Sequence, residues 1–250
     1  EFVLRDIDLK GGTLITIETI SPVDTASLEK FLDERHGSVF VSGVRSAAGN
    51  GIKVEADQNA DINQIVNDIE GFGVIVNSFS AETLGSFLGN LFFQQVVYII
   101  AIGFILMSIV IFLIYRNPVT SFGIVFAILA NIIVTLAITT LLGIKISFAG
   151  FAGILMLIAY TVDTNIVLTH SALKSTPENL KASLKKAFST GVTLTATITA
   201  TMVVVYLLST SKLLVNISQI LVIGFITDLI FTWIFNSAIL EWWMNRRYGQ

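Results

Sequence analysis

The hydrophobic and polar positions divide the chain into two regions with different periodicity. Up to residue 93, short alternating and helical patterns are separated by Gly, Pro and Asn. From Gln94 onward, apolar runs follow one another, each near the length of about 20 residues that crosses a bilayer core. These runs predict five membrane spans, near 94–115, 119–142, 146–168, 189–209 and 216–240. The chain is therefore expected to comprise a water-soluble domain (1–93) and a helical membrane bundle (94–250).

The first region predicts a βαββαβ order of secondary structure. Residues 13–20 alternate apolar and polar positions, as a half-buried strand does. The other predicted elements are a helix capped by Asp24 and ended by Gly37, strands 38–46 and 52–56 around a turn at 47–51, a helix opened by Asp61, and strand 74–79. This is the split βαβ, or ferredoxin-like, α+β pattern, which by itself assigns no chemistry. Residues 80–93 are expected to form a short amphipathic helix that leads into the membrane.

Basic residues predict how the spans are oriented, because cytoplasmic loops carry an excess of Lys and Arg. One side of the bundle carries Arg116, Lys174, Lys181, Lys185, Lys186, Arg246 and Arg247, whereas the other side carries Lys145 and Lys212. The first side is therefore expected to be cytoplasmic and the domain 1–93 external, so that a sixth span should precede Glu1. The linker 170–186 is predicted to be a basic amphipathic helix on the membrane surface, starting at Ser175-Thr176-Pro177-Glu178. Interfacial anchors are expected at Trp233, Trp242, Trp243 and Tyr248.

Two carboxylates lie within the predicted spans. Asp163 stands near the far end of the third span, followed by Thr164 and Asn165. An ionisable group costs about 2.5–3.5 kcal/mol at the middle of a span, so it usually faces inward and has a function. The alternative is an Asp near the interface with a purely structural hydrogen bond. Asp228, close to the middle of the last span, either shares a proton with Asp163 or is neutral and structural.

The fourth span is unusually rich in hydroxyl groups. It carries Thr190, Thr193, Thr195, Thr197, Thr199 and Thr201. Threonines in membrane helices commonly bond to their own backbone or across helices, which would make this feature structural. The other interpretation is that the helix faces Asp163 and that Thr190, Thr193 and Thr197 line a polar path.

Composition narrows the classes of function. The chain is 54% hydrophobic and 13% charged, against about 25% charged in ordinary soluble domains. A net charge of −3 argues against a nucleic-acid partner, and the chain has no cysteine. No zinc-ligand spacing, phosphate-binding Gly loop or nucleophile motif is present, so no catalytic residue, metal site or cofactor is predicted. His36 stands at a helix end, where it compensates the helix dipole. Any energy must then come from an ion gradient or a partner.

Three segments resemble motifs of the SecD/SecF family of protein-export membrane proteins. Residues 6–12 (DIDLKGG) resemble the Gly-rich motif after the first family span, with Asp8, Gly11 and Gly12 at the matching positions. The segment 163–168 (DTNIVL) is similar to the fourth-span motif, in which an Asp-Thr pair precedes an apolar run. The Ser/Thr-rich fifth family span is matched by 190–201. The resemblance covers essentially the whole chain, except for the first span.

The resemblance implies an accessory subunit of the Sec translocation machinery, related to the resistance–nodulation–division (RND) transporters. It implies a SecD-like subunit, the Sec translocon and a translocating preprotein as partners, and a multi-pass location in the cytoplasmic membrane of a prokaryote, in contact with lipid. It further implies that the proton motive force moves the external domain, with Asp163 as the coupling residue. Bacterial members carry basic residues after the Asp-Thr pair and an Arg at the start of the fifth span. Here 169–174 (THSALK) and Thr190-Gly191 stand instead, as in an archaeal-type member.

Two alternatives remain open at this stage. One is an exporter of small molecules or lipids from the related transporter superfamily, although one small domain on six spans argues against it. The other is a scaffold that stabilises the translocon without energy coupling, which the missing Arg favours.

Overall fold

The computed structural model describes residues 3–37, 39–46, 49–176, 179–209 and 211–247. They form two compact units, Arg5–Val96 and the described residues from Val97 onward together with Val3 and Leu4. The elements of the first unit are α1 (Ile7–Lys10), β1 (Gly12–Thr19), α2 (Thr25–His36), β2 (Phe40–Ser46), β3 (Gly49–Ala56), α3 (Ile62–Gly71) and β4 (Val76–Leu84). Helix α4 (Ser86–Tyr115) crosses from the first unit into the second. The division of the chain at residue 93 stays a prediction, because these contacts do not locate a membrane.

The first unit is a four-stranded sheet with α2 and α3 packed against it. The strand order is β2-β3-β1-β4, and every neighbouring pair is antiparallel. Alternate residues of β1 are buried, as the period of two in its sequence predicts. Ile15 and Ile17 meet Leu28 and Leu32 from α2 and Ile65 from α3 in one apolar core. The predicted βαββαβ order of elements is therefore present in the structure.

Both long helices of this unit begin at the predicted caps. The Asp24 carboxylate accepts from the backbone N–H groups of Ala26 and Ser27, and Asp61 does the same at the start of α3. These bonds satisfy donors that a helix start otherwise leaves open. Gly37 ends α2 with a φ of 63°, a conformation that favours glycine. Of the predicted turn and strand positions, Ser38, Ala47 and Ala48 lie outside the described residues.

The segment 80–93 differs from the prediction of a separate amphipathic helix. Strand β4 continues to Leu84, because it pairs with β1 along its length, from Thr19 with Val76 to Gly12 with Leu84. After Gly85 the chain enters α4, which runs without a break to Tyr115. The polar residues after Gly85 thus form the first turns of a long membrane-capable helix. Before Gly85, the backbone hydrogen bonds to β1 outweigh the weak helical pattern of the sequence.

The Gly-rich motif is a site of close backbone approach. Asp6 caps α1, and Gly11 and Gly12 follow with φ values of 79° and 138°. A Cβ atom at Gly12 would lie 2.8 Å from the Ala56 carbonyl oxygen, and one at Gly89 would lie 2.5 Å from the Gly11 nitrogen. Asp8 is exposed. The glycines of the motif therefore have a packing role, which is what glycine at positive φ and close contact indicates.

His36 does more than compensate a helix dipole, because it joins α2 to α3 through Asp68. Its Nε2 lies 2.7 Å from Asp68 Oδ2, and Arg35 pairs with the other carboxylate oxygen. The His36 hydrogen bond and the Arg35 charge hold the pKa of Asp68 below its ordinary value of 3.8. A lowered carboxyl pKa adds stability at pH values above 3.8, and that stability is lost as the pH falls through the folded-state pKa.

We therefore expect Asp68→Asn to loosen the contact between α2 and α3 at pH 6 and to have less effect at an acidic pH below the folded-state pKa of Asp68, where the wild-type carboxyl is also protonated. Amide hydrogen exchange of α2 and α3 in the purified protein measures this difference. Asp57→Asn, which removes an exposed carboxylate from the same unit, is the control. An equal increase in exchange for Asp68→Asn at both pH values would contradict the ion-pair explanation.

The second unit is a helical bundle, and its elements confirm the expected number of spans. It continues α4 and adds α5 (Pro118–Leu141), α6 (Phe148–Leu173), α7 (Leu180–Leu208), α8 (Lys212–Ile230), a π-helical turn (Phe231–Asn236) and α9 (Ser237–Arg247). Five helices among the described residues are long and apolar enough to cross a membrane, the last one combining α8, the π turn and α9. Helices α5, α6 and α8 each bury one face, whereas α4 and α7 are largely exposed.

The linker 170–186 is not a separate surface helix. Helix α6 extends to Leu173, and α7 runs from Leu180 through the linker lysines into the fourth span. The apolar face of this segment packs into the bundle, since Leu180 and Ala187 are buried with Leu168, Leu240 and Met244. That burial explains the difference from the prediction. Pro177 and Glu178 of the proposed helix start lie outside the described residues.

Candidate functional site

Buried polar side chains run through the middle of the bundle, between α5, α6 and the last membrane helix. The buried residues are Asn131 and Thr135 on α5, Thr161, Thr164 and Asn165 on α6, and Thr227, Asp228, Thr232 and Asn236 on α8 and the π turn. Polar groups without water must find partners within the protein, and this requirement is strongest inside a membrane. This set, here called the polar core, is therefore the first place to look for chemistry.

Asp228 lies at the centre of the polar core and is fully buried. Its Oδ2 accepts a hydrogen bond from Thr164 Oγ1 at 3.0 Å, and its Oδ1 accepts from Thr232 Oγ1 at 2.8 Å. Within the described part of the chain, no Lys, Arg or His forms an ion pair with it. The carboxylate is thus held by neutral hydroxyl groups from two helices.

Asn165 connects this carboxylate site to the rest of the core. Its Nδ2 donates to the Thr161 carbonyl at 2.8 Å and to Thr232 Oγ1 at 2.9 Å. Its Oδ1 accepts from Asn236 Nδ2 at 2.7 Å. One buried amide therefore joins α6 to both polar side chains of the π turn.

A second group of bonds joins α5 to α6 and α8. Asn131 Nδ2 donates to Thr161 Oγ1 at 3.2 Å, and the Thr227 hydroxyl donates to Asn131 Oδ1. Thr135 and Thr227 are also within hydrogen-bond distance, at 3.0 Å. Every side chain of this group has a partner, so it ties the three helices together on the side of the core away from the π turn.

The π-helical turn begins three residues after Asp228 and carries Thr232 and Asn236. A π turn inserts one extra residue into the helical ladder, which changes the direction of the side chains that follow it. Such turns often occur at functional sites. Here the turn brings the Thr232 hydroxyl onto Asp228 and the Asn236 amide onto Asn165.

Asp163 lies on the exposed face of α6, at the surface of this chain's own bundle. Ala152, Met156 and Ala159 share that face at helical spacing. The expectation that Asp163 points into the bundle is therefore wrong. Its neighbour Thr164, 100° further round the helix, is the residue that reaches Asp228. Among the described residues, no hydrogen bond joins the two carboxylates.

The threonines of α7 bond to their own helix, as the structural interpretation predicts. Thr190, Thr193 and Thr197 are exposed, and their hydroxyls donate to the carbonyls of the residues four positions earlier. Thr195 is buried and also bonds to its own backbone. Tyr160 on α6 donates to it at 3.5 Å. The hydroxyl-rich face of α7 is thus outside the polar core.

Trp233 is a packing residue rather than an interfacial anchor. It is buried, and its ring packs edge-on against Phe188 at 5.4 Å and directly over Gly191 on α7. The π turn directs the ring into the bundle, which explains the difference from the prediction. Trp242 is exposed, as an anchor would be. Tyr248 lies outside the described residues.

The sequence profile described as "Protein export membrane protein SecD/SecF, C-terminal" matches residues 65–246, a range that includes the whole polar core. The chain belongs to the SecD/SecF family. SecF from Methanocaldococcus jannaschii is 33% identical over 96% of this chain and 87% of its own length. SecF from Methanothermobacter thermautotrophicus is 32% identical over 97% of this chain and 85% of its own length. Both relatives are archaeal, in agreement with the archaeal-type motifs.

Two solved structures have the fold of this SecD/SecF chain. The crystal structure of SecDF from Thermus thermophilus, a translocon-associated membrane protein, matches with a TM-score of 0.78 and 19% identity. The match covers 98% of this chain and 35% of that one. SecDF in a super-membrane-facing form matches with a TM-score of 0.54 and 16% identity, over 99% of this chain and 35% of that one. The family resemblance predicted from the motifs is confirmed, and with it the multi-pass membrane character.

Sequence reasoning found Asp228, Thr164 and Asn165 but missed most of the polar core of this SecD/SecF chain. Asn131, Thr232 and Asn236 are single polar residues among apolar ones, and Thr161 lies in the polar stretch 160–165 that drew attention to Asp163 instead. Their spacing offered a signal, since Asn131 and Thr135, and likewise Asp228, Thr232 and Asn236, recur every four residues. Polar residues that repeat in this way share one face of a membrane helix, and that face is the one that avoids lipid.

Proposed function

We propose that this chain is a SecF-type accessory subunit that assists protein export at a Sec translocon together with a SecD-like partner, and that ion movement is coupled to this work through Asp228. The observation that carries the proposal is the buried Asp228 carboxylate between Thr164 and Thr232 in a family member. Ionisable residues inside membrane spans mark ion pathways by default. The family match favours protein export over the export of small molecules or lipids.

Protonation of Asp228 would change the packing of two helices. The ionised carboxylate only accepts hydrogen bonds, whereas the protonated acid also donates one. Thr164 and Thr232 both donate to it in this structure, and an oxygen that carries the proton is a weaker acceptor for the hydroxyl beside it. The weakened bond joins α6 to α8 or fixes the π turn. A proton on Asp228 would thereby loosen the geometry of the last membrane helix.

The exposed position of Asp163 is evidence for a partner subunit that covers it, and not for a proton relay inside this chain. A carboxylate facing hydrocarbon costs about 2.5–3.5 kcal/mol near the middle of a span, so the exposed face of α6 requires a cover. We propose that a SecD-like subunit packs on the face formed by Ala152, Met156, Ala159 and Asp163. There Asp163 remains a second candidate for coupling. The length of the SecDF structure, of which this chain spans 35%, agrees with a partner that supplies the rest.

Several finer assignments belong to the same proposal. The end of the bundle with Arg116, Lys174 and Arg246 is cytoplasmic, and residues 1–93 form an external ferredoxin-like domain that contacts the preprotein. The β2-β3-β1-β4 order supports that fold. The bundle lies in the cytoplasmic membrane of a prokaryote, with Trp242 among its lipid contacts.

A scaffold without ion coupling is the second candidate function. The observation that favours it is that Asp228 has hydrogen-bond partners from neutral hydroxyls and no cationic partner among the described residues. A fully bonded carboxylate of this kind could serve only to hold α6 against the last helix.

Export of a secretory precursor in cells with a single copy of this chain separates the two functions. We expect Asp228→Asn to reduce the stimulation of export at least about fivefold, the lower limit of a typical coupling between sites. Asp228→Glu should retain part of the activity because it keeps an ionisable group. Asp163→Asn tests Asp163 as the alternative coupling residue. Asp57→Asn is a carboxylate control outside the bundle. Expression and copurification with the partner are matched for every variant. If cells with Asp228→Asn export the precursor as well as wild type, the proposed ion coupling through Asp228 is wrong, and the scaffold function replaces it.

A further inference from the structure

Four buried side-chain oxygens at one end of the bundle have no hydrogen-bond partner within the described protein. They are Thr120 Oγ1, Ser121 Oγ, Thr169 Oγ1 and Asn236 Oδ1. Each of these residues is at most 4% exposed. Buried polar groups in native proteins are bonded to protein or to ordered water. A cluster of unpartnered oxygens inside a membrane bundle therefore indicates a place where water enters.

The four oxygens lie on three helices that reach the same end of the bundle. Helix α5 begins at Pro118, α6 runs the opposite way and ends at Leu173, and the last helix ends at Arg247. Thr120 and Ser121 thus stand in the first turn of α5, and Thr169 stands in the last turns of α6. This is the end that carries Arg116, Lys174 and Arg246. The fifth unpartnered atom, Trp233 Nε1, belongs to the ring that packs on α7.

Gly123 lets α5 pack closely against the last helix beside these oxygens. A Cβ atom at this position would lie 3.0 Å from Asn236 Oδ1 and 3.3 Å from Ile239 Cγ2, so even a methyl group would press on the Asn236 side chain. Gly123 lies one turn from Thr120 on the buried face of α5. The unpartnered oxygen of Asn236 consequently lies close to the glycine.

A continuous series of hydrogen bonds leads from Asn236 to the carboxylate. Asn236 donates to Asn165 at 2.7 Å, Asn165 donates to Thr232 at 2.9 Å, and Thr232 donates to Asp228 at 2.8 Å. Thr169 lies one helical turn beyond Asn165 on the same face of α6. The unpartnered oxygens and the bonded ones thus form one polar column from the basic end of the bundle to Asp228.

The opposite half of the polar core is closed. Asn131, Thr135 and Thr227 bond to one another, and Thr139 donates to carbonyls of its own helix. Apolar side chains such as Ile132 are buried beside them. Polar atoms that already have partners give water no site to occupy. The two halves of the polar core therefore differ: only the half toward Arg116 has unpartnered oxygens that water can reach on the way to Asp228.

We propose that water enters from the end of the bundle that carries Arg116, Lys174 and Arg246, passes between α5, α6 and the last helix, and connects that side, but not the other, to Asp228. The hydrated column is lined by Thr120, Ser121, Thr169 and Asn236, with Gly123 as its narrow wall. This inference deepens the proposed function. It rests on that function in two respects only: that this side is cytoplasmic, and that a proton on Asp228 is coupled to export. It lies entirely within this chain and does not involve the exposed face of Asp163.

Single cysteines test the column, because the chain has none of its own. Ser121→Cys, Thr169→Cys and Asp228→Cys are produced in the intact complex and exposed to Ag⁺ in inside-out and right-side-out membrane vesicles. Ag⁺ is a thiol-reactive cation small enough to follow a file of waters. Thiols that escape it are counted with a maleimide after denaturation. Reaction requires the thiolate, which forms in hydrated surroundings and not in apolar ones.

We expect all three cysteines to react roughly tenfold or more faster from the side of Arg116 than from the opposite side. Ile124→Cys is the matched control, since Ile124 is equally buried on α5 but apolar, and it should stay unreactive. Thr135→Cys, in the closed half, should also stay unreactive. Gly123→Ala in the Asp228→Cys background should slow the reaction by narrowing the column.

Rates at 121 and 169 equal to that of Ile124→Cys, or a rate at 228 that is the same from both sides, would overturn the proposal. Thr169→Cys and Ser121→Cys remove hydroxyls that have no protein partner, so misfolding is not an expected cause of a negative result. The outcome is independent of export. If the cysteines react as expected but Asp228→Asn exports normally, the hydrated column stands and the proposed coupling fails. If the cysteines stay unreactive but Asp228→Asn loses export, the coupling stands and the hydrated column fails.

Discussion

Replacing Gly191 by alanine is expected to lower the free energy of unfolding of the bundle by about 1–3 kcal/mol, the range for overpacking a well-filled interior. Gly191 is buried on α7 directly beneath the Trp233 ring, and an added methyl group would overlap the ring at Cζ2. The ring is rigid and buried between helices, so α7 would have to move away from the π turn. Denaturant-induced unfolding of the purified protein in a mild detergent measures the change.

Gly103 on α4 provides the matched control for this substitution. It is also a helical glycine in the bundle, but an added Cβ would meet only Leu155 Cδ2, at the ordinary distance of 3.9 Å. Gly103→Ala is therefore expected to be neutral or to stabilise the protein by up to about 1 kcal/mol through helix propensity. Trp233→Phe should recover part of the loss in the Gly191→Ala background, because the two residues are in contact. Equal stability of Gly191→Ala and Gly103→Ala would contradict the packing explanation.

Asn165→Leu is expected to have the second large effect, a loss of about 2–4 kcal/mol in the free energy of unfolding. The substitution removes the bonds from Asn165 to the Thr161 carbonyl, Thr232 and Asn236. A hydrogen bond between membrane helices contributes about 0.6 kcal/mol on average, and a buried group left without a partner costs about 1–3 kcal/mol more. The same unfolding experiment in detergent reports the loss.

Thr197→Val is the control for the removal of a polar group from the bundle. Thr197 is exposed, and its hydroxyl bonds to a carbonyl of its own helix. Removal of this hydroxyl is expected to change stability by less than about 0.5 kcal/mol, as for most surface substitutions. If Asn165→Leu were as stable as Thr197→Val, apolar packing and not the polar core would hold α6 to the last helix.

The residues around Asp163 show how far sequence reasoning reaches in a membrane bundle. The sequence identified the segment 163–165 as chemically important, and two of its three residues do belong to the polar core. It assigned the central place to Asp163, whereas Asp228 occupies it. In a soluble helix the polar face marks the solvent side. In a membrane helix most of the buried face is apolar as well, so a single carboxylate such as Asp163 does not by itself show which way it faces. The available signal was the helical spacing of Thr161, Thr164 and Asn165, which marks the buried face.

The sequence by itself determined the strands and caps of the first unit, the number of membrane helices and the family. These features depend on local rules: alternation along a strand, a capping carboxylate such as Asp24, and the length of apolar chain that a bilayer requires. Only the tertiary structure decided which polar residues meet, that a π turn directs Thr232 and Asn236 into the bundle, and that Asp163 faces outward. The physical reason is that hydrogen bonds between membrane helices join residues far apart in the chain, such as Thr164 with Asp228, and each bond depends on a helix rotation that no local pattern specifies.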